Sequence, residues 1–156
     1  MSEVTENSTA PGFKLPRDGG ETVQLSDYKG KKVVLFFYPK DDTKGCTVEA
    51  IDFTAKLDEF ESAAAVVIGM SPDPVKKHDK FIDKHDLKVI LASDEEKTTL
   101  DAYSVWKEKS MYGKKYMGVE RSTFVIDENG VVKHAWRKVK VPGHVDAVLE
   151  AVQALG

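Results

Sequence analysis

The sequence predicts a three-layer α/β sandwich with a mixed central sheet and an N-terminal hairpin, in one domain spanning residues 1–156. Three observations carry this expectation. Continuous apolar, β-branched runs stand at 32–38 and 64–70, and a segment of helical period follows each, as in parallel strands covered by crossover helices. The turn Asp127–Glu128–Asn129–Gly130 lies between two further apolar runs and adds antiparallel strands. A chain of 156 residues, 41% of them hydrophobic, can bury a continuous core without disulfide or metal staples.

Taken in order, the polar start is expected to fray. Residues 13–15 and 22–25 alternate in polarity around Gly19–Gly20 and read as the hairpin. The run KVVLFFY at 32–38 is a central strand ended by Pro39. From Gly45 the period changes: Cys46, Ala50, Phe53, Leu57 and Phe60 recur at helical spacing, with Glu49, Asp52, Lys56 and Glu59 opposite. A strand over 64–70, a helix opening near Pro74 and running to His85, a short strand over 89–92 and a helix over 95–103 follow. The hairpin of 122–126 and 131–136 comes next, then a helix over 144–155 with Val145, Val148, Leu149, Val152 and Leu155 as its apolar stripe.

Composition removes several function classes. Lys and Arg number 23 against 26 Asp and Glu, a net charge of −3, so phosphate-tracking nucleic-acid binding has no electrostatic basis. The longest apolar run, 63–70, is far below the roughly 18–20 residues of a membrane span. Residues 1–9 (MSEVTENST) lack the basic start and apolar stretch of a signal peptide, and a cytoplasmic location is expected. The single cysteine excludes a disulfide framework or a cysteine-cluster metal site. His78, His85, His134 and His144 have no ligand-like spacing, and no glycine loop suited to phosphates follows residues 32–38.

Cys46 sits in the first turn of the helix that follows the central strand. The first N–H groups of a helix are unpaired and its dipole is positive there, which favours an anion, and thiolate is the reactive form of cysteine. A lone cysteine is also commonly a small buried hydrophobe, and its place at a helix start sets the nucleophilic role level with that one. Thr43 is placed to cap the helix, its hydroxyl aimed at the N–H of Gly45 or Cys46. Gly45 leaves room for a small reactant beside the sulfur.

Residues 38–50 read YPKDDTKGCTVEA, with Pro39, Thr43 and Cys46 spaced P-x-x-x-T-x-x-C. This segment resembles the active site of the peroxiredoxins. Its flanks look like the bacterioferritin comigratory protein, or peroxiredoxin Q, branch. Further resemblance lies at 64–72 (AAVVIGMSP), 111–127 (MYGKKYMGVERSTFVID) and 136–144 (WRKVKVPGH). The resemblance implies a thioredoxin-like fold and a thiol-dependent peroxidase for hydrogen peroxide and organic hydroperoxides, with no metal or organic cofactor. It makes Cys46 the peroxidatic nucleophile, shielded by Pro39, with Thr43 bonding the peroxide and Arg121 stabilising thiolate and developing charge. Glu49, one turn after Cys46, is a candidate to orient Arg121 through a bidentate pair, beside its reading as an ordinary charged helix face.

Members of this branch often carry a resolving cysteine, five residues after the first or on the next helix. Here those positions are Ile51 and Ile82. A one-cysteine cycle follows, in which an external thiol (glutathione, glutaredoxin, thioredoxin or a second Cys46) resolves the sulfenic acid. The branch is often monomeric, and a monomer is expected. Trp106, Met111, Tyr112, Tyr116 and Met117 read either as an apolar collar that favours organic hydroperoxides or, more ordinarily, as core packing or loop anchors. Lys107, Lys109, Lys114, Lys115, Arg137, Lys138 and Lys140 form basic patches, by default solvated, with docking of an acidic redox partner as the alternative. A peroxide sensor or redox-relay module acting through a mixed disulfide at Cys46 is the competing function. A disulfide reductase would want Cys-x-x-Cys, and position 49 is Glu.

Overall fold

The computed structural model describes residues 4–156. Strand β1 (Lys14–Pro16) pairs antiparallel with β2 (Thr22–Gln24) around a 3-10 turn holding Gly19 and Gly20, both at positive φ, so the N-terminal hairpin is as expected. Next come β3 (Lys32–Phe37), α1 (Lys44–Ala55), α2 (Leu57–Ser62), β4 (Ala65–Ser71), α3 (Val75–His85), β5 (Ile90–Ser93) and α4 (Thr98–Ala102). The chain closes with β6 (Trp106–Met111), β7 (Lys114–Val119), β8 (Ser122–Ile126), β9 (Val132–Trp136) and α5 (His144–Ala154).

The central sheet has five strands in the order β5-β4-β3-β8-β9, with β3, β4 and β5 parallel and β8 and β9 antiparallel to their neighbours. Every residue of β3 is buried, which is why its sequence is unbroken by polar alternation. One face carries Phe36, Phe53, Phe60, Phe81 and Val148, contributed by the sheet and by α1, α2, α3 and α5. The other carries Leu35, Phe37, Met70, Leu100, Tyr103 and Phe124, closed by α4, the hairpin and the first described residues. These are the three layers of a thioredoxin-like sandwich.

Four local expectations need correction. The start does not fray over residues 4–10: Val4 and Ala10 are buried, and the Asn7 and Ala10 amides bond the carbonyls of Val132 and Gly130. Residues 1–3 lie outside the described part. The helix begun near Cys46 is broken at Lys56 into α1 and α2. Helix α4 begins only at Thr98, because Lys97 is left-handed (φ 64°) and Asp94 instead accepts the Leu100 amide. The largest omission is the β6–β7 ribbon, turned at Tyr112 (φ 52°) and Gly113 (φ 78°). Two successive positive φ values make the turn a strand-matching one, but Tyr-Gly is not a strong signal for it.

Candidate active site

The C-terminal end of β3 delivers the chain through half-buried Pro39 into the segment 39–43 and then into α1. Thr43 is the N-cap by backbone geometry (φ −90°, ψ 158°), so Cys46 falls in the first turn as expected. The Thr43 side chain makes no capping bond, however. Its hydroxyl donates to the Lys40 carbonyl at 2.9 Å and braces the segment before the helix rather than the helix amides. With its proton so committed, the Thr43 oxygen is left as an acceptor.

Cys46 is 2% exposed and stands beside a guanidinium. Arg121, in the short link between β7 and β8, places Nη2 3.2 Å from the Cys46 Sγ. Its Nη1 donates to Glu49 Oε1 at 2.6 Å. Two elements 75 residues apart in sequence thus meet over the sulfur. The room at Gly45 is taken by Arg121, not left for a reactant: a Cβ there would lie 3.2 Å from Nη2.

Glu49 departs from the polar helix face expected of it. It is fully buried, and its pair with Arg121 runs through one oxygen only, leaving Oε2 without a partner among the described residues. A buried carboxylate is costly to charge, and burial raises the Glu49 pKa to about 7 even though the Arg121 charge and hydrogen bond pull it down. The pKa of Arg121 is raised: burial opposes the charged form, but Glu49 and Cys46 outweigh it.

The surroundings add residues that sequence reasoning left without a site role. His144, at the start of α5, meets Thr123 Oγ1 through Nε2 at 2.8 Å. Burial, followed by the charge of Arg121, pushes its pKa down to about 4. Lys109 on β6 shares a ribbon face with Tyr116, and its pKa is lowered by burial and by Arg121, while Cys46 acts in the opposite sense. The sequence marked both residues, but only the meeting of β6, β8 and α5 at Arg121 shows what they face. Met111, Tyr112, Tyr116 and Met117 are exposed on the ribbon, which removes the core-packing reading for them. Trp106 does pack against the core. Arg137 is not part of a solvated patch: it donates to the carbonyls of Val4, Tyr103 and Ser104 and lies over the Phe124 ring. Ile51 is exposed on an unbroken α1, and Ile82 packs against the core.

Comparison with known proteins agrees with this geometry. The AhpC/TSA family model matches residues 7–135. Peroxiredoxin Bcp of Bacillus subtilis is 52% identical over 144 residues, covering 92% of each chain. Peroxiredoxin Bcp of Xanthomonas campestris is 46% identical over 156 residues, covering 99% of this chain and 98% of the relative. Among solved structures, a bacterioferritin comigratory protein of Xanthomonas campestris, studied for alkyl peroxide reduction, superposes with a TM-score of 0.88 at 47% identity, covering 92% and 91% of the two chains. PrxQ of Xylella fastidiosa superposes with a TM-score of 0.94 at 39% identity over 99% of both chains. No described helix is long and apolar enough to cross a membrane. With relatives matching across nearly its whole length, the chain belongs to the AhpC/TSA family, in its Bcp/peroxiredoxin Q branch, and is a thiol-dependent peroxidase.

Proposed function

We propose that Cys46 is the peroxidatic cysteine of a one-cysteine cycle, in which Thr43, Arg121, Glu49 and Pro39 serve the oxidation step and an external thiol completes turnover. The observation that carries this reading is the placement of Arg121 Nη2 3.2 Å from the only thiol of the chain. The guanidinium and the helix start place positive charge beside the sulfur, where the nucleophile carries its negative charge. It attacks one oxygen of the peroxide in line with the O–O bond. The S–O bond forms as the O–O bond breaks, the leaving oxygen departs as water or an alcohol with one proton taken up, and Cys46 becomes a sulfenic acid. Arg121 meets the charge that spreads onto the two oxygens, where a fixed donor gains most. The Thr43 oxygen, its own proton held by Lys40, accepts the peroxide O–H and fixes the angle of approach. Glu49 holds Arg121 at its correct rotation, and Pro39 screens the sulfur from water.

With no second thiol in the chain, the sulfenic acid is resolved from outside. One small thiol displaces water to give a mixed disulfide, and a second thiol releases Cys46 and leaves as a disulfide. Glutathione, glutaredoxin and thioredoxin all supply such thiols, which suits a reducing, cytoplasmic setting. The alkyl peroxide activity of the Xanthomonas relative, with the exposed Met111 and Tyr116 on the adjoining ribbon, supports organic hydroperoxides as substrates beside hydrogen peroxide. The chain acts as a single-domain monomer.

Peroxide consumption by wild type and Cys46→Ser, with glutathione, a glutaredoxin system or a thioredoxin system in turn, tests this reading. Many turnovers in wild type and none in Cys46→Ser are expected, and the thiol that supports them names the resolving agent. A single stoichiometric reaction under every thiol would instead favour a sensor.

A further inference from the structure

Behind the segment 39–43 lies a buried polar cluster that the peroxidase reading does not use. His78 on α3 has no exposed surface, and both of its ring nitrogens face acceptors: Nδ1 lies 2.6 Å from Asp41 Oδ2, and Nε2 lies 3.0 Å from the Ala92 carbonyl on β5. A neutral imidazole has one N–H and would leave one of these two acceptors unbonded, so this geometry suits a doubly protonated ring facing the Asp41 carboxyl. Tyr38, at the end of β3, donates its hydroxyl to Asp41 Oδ1 at 2.5 Å. The Asp41 amide donates to Asp73 Oδ2 at 2.7 Å, and that oxygen also takes the Ser71 hydroxyl at 2.9 Å. Ser93 donates to the Asp73 carbonyl, and Lys77 reaches Asp73 Oδ1 from the rim at 3.9 Å. The groups facing His78 are therefore Asp41, Tyr38 and Asp73, with Lys77 beyond. Both carboxyl oxygens and the amide of Asp41 are held, by α3, by Tyr38 just past β3 and by the turn after β4.

Asp41 stands two residues after Pro39 and two before Thr43. Asp42 is gripped by the same helix from outside, through Lys84 at 2.7 Å and His85 at 2.8 Å. It sits at φ 61°, a left-handed value that costs a non-glycine residue about 1 kcal/mol and needs such anchors. We propose that His78 is a positioning residue for peroxide reduction: from α3 it clamps Asp41 and so fixes the segment that carries Pro39 and Thr43 over Cys46. The proposal rests on Cys46 as the reacting thiol. His78 touches no reactant. It acts because the peroxide step needs Thr43 and Arg121 in register around the sulfur, whereas simple alkylation needs only an accessible thiolate. Burial alone would lower the His78 pKa, but the hydrogen bond and charge of Asp41, with the Ala92 carbonyl and Asp73, raise it, in keeping with a charged clamp.

The test compares the rate constants of Cys46 with hydrogen peroxide and with iodoacetamide in wild type, His78→Leu and His78→Asn. Asn keeps a donor where Nδ1 stands, and Leu keeps none. For His78→Leu a fall of at least about tenfold with peroxide is expected, with alkylation held within about threefold and His78→Asn restored to near wild type. Wild-type peroxide rates in His78→Leu, equal losses in both reactions, or failure of His78→Asn to recover would overturn the clamp. If His78→Leu does not fold, Tyr38→Phe removes only the bond to Asp41 Oδ1, and the same split, severalfold in size, is expected; an unchanged peroxide rate overturns the proposal. If wild-type Cys46 does not react with peroxide, the peroxidase reading fails by itself. The clamp is then judged by amide exchange over residues 41–46, which should quicken in the variant and would overturn the clamp if unchanged.

Discussion

Arg121 is a shared resource at this site, since one face of its guanidinium serves the Cys46 sulfur and another the Glu49 carboxylate. Arg121→Lys keeps a charge but not the fork, and the rate constant with peroxide should fall by about 100-fold, or roughly 3 kcal/mol. Stopped-flow single-turnover measurement checks this. Gly45→Ala tests the same placement from the other side. A Cβ 3.2 Å from Nη2 forces the guanidinium away from the sulfur, and roughly tenfold slower oxidation is expected with little change in stability. Glu49 makes a pH-dependent prediction. Its folded pKa, about 7, lies above its ordinary value of 4.5, so its neutral form favours the folded state. That contribution is fully present below about pH 4.5 and is lost as pH rises through 7. Glu49→Gln should therefore gain on wild type across this window, by a difference on the order of 3 kcal/mol at pH 8, in denaturant unfolding series at several pH values. The motif around Cys46 made Thr43, Cys46 and Pro39 legible, since all lie within one strand–helix junction. Glu49 was legible as a partner for Arg121 but not as a buried group, because a carboxylate one turn along a helix is ordinarily exposed.

Strands and helices whose burial is written in their own period were the most legible elements. The β3 run, the Asn129–Gly130 hairpin and the α5 stripe from Val145 to Val152 lie where their patterns put them, but Leu155, expected to close that stripe, falls past the helix end at Ala154 and is exposed. The β6–β7 ribbon was not legible for the opposite reason. Its outer residues are exposed on both faces, so neither period 2 nor period 3.6 is imposed, and the Tyr112–Gly113 turn lacks the usual Asn or Asp. The early end of α1 at Lys56 was hidden because Leu57 and Phe60 continue the apolar spacing after the break. Gly69, in the middle of β4, is a glycine by necessity of packing. A Cβ there would sit 2.6 Å from Phe36 Cζ and 2.9 Å from Leu91 Cδ2, both within the core. Gly69→Ala should cost about 1–3 kcal/mol and lower the unfolding temperature, with peroxide reactivity per folded molecule unchanged. Thermal unfolding followed by circular dichroism checks the cost.

At the scale of the molecule, the sandwich brings residues from four distant stretches to the end of β3. Cys46 and Glu49 come from α1, Arg121 from the link before β8, His144 from α5 and Lys109 from the ribbon. No local pattern contains that convergence. His144 ties the site to stability in acid. Its pKa is pushed down to about 4 by burial and by Arg121, so the neutral ring belongs to the folded state. This contribution is present above about pH 6.5 and is lost as pH falls toward 4. His144→Gln should therefore lose less stability than wild type between those values, measured by unfolding midpoints at fixed denaturant. The whole chain carries one thiol, so its redox cycle has no internal disulfide to form, and the oxidised intermediate should be a sulfenic acid that an external thiol resolves. The most direct test of the account is the mass of the reduced protein after one equivalent of peroxide, with the modified peptide mapped. A single added oxygen on Cys46, removed on adding an external thiol through a mixed disulfide, is the predicted result. An unmodified Cys46, with peroxide left unconsumed, would contradict it.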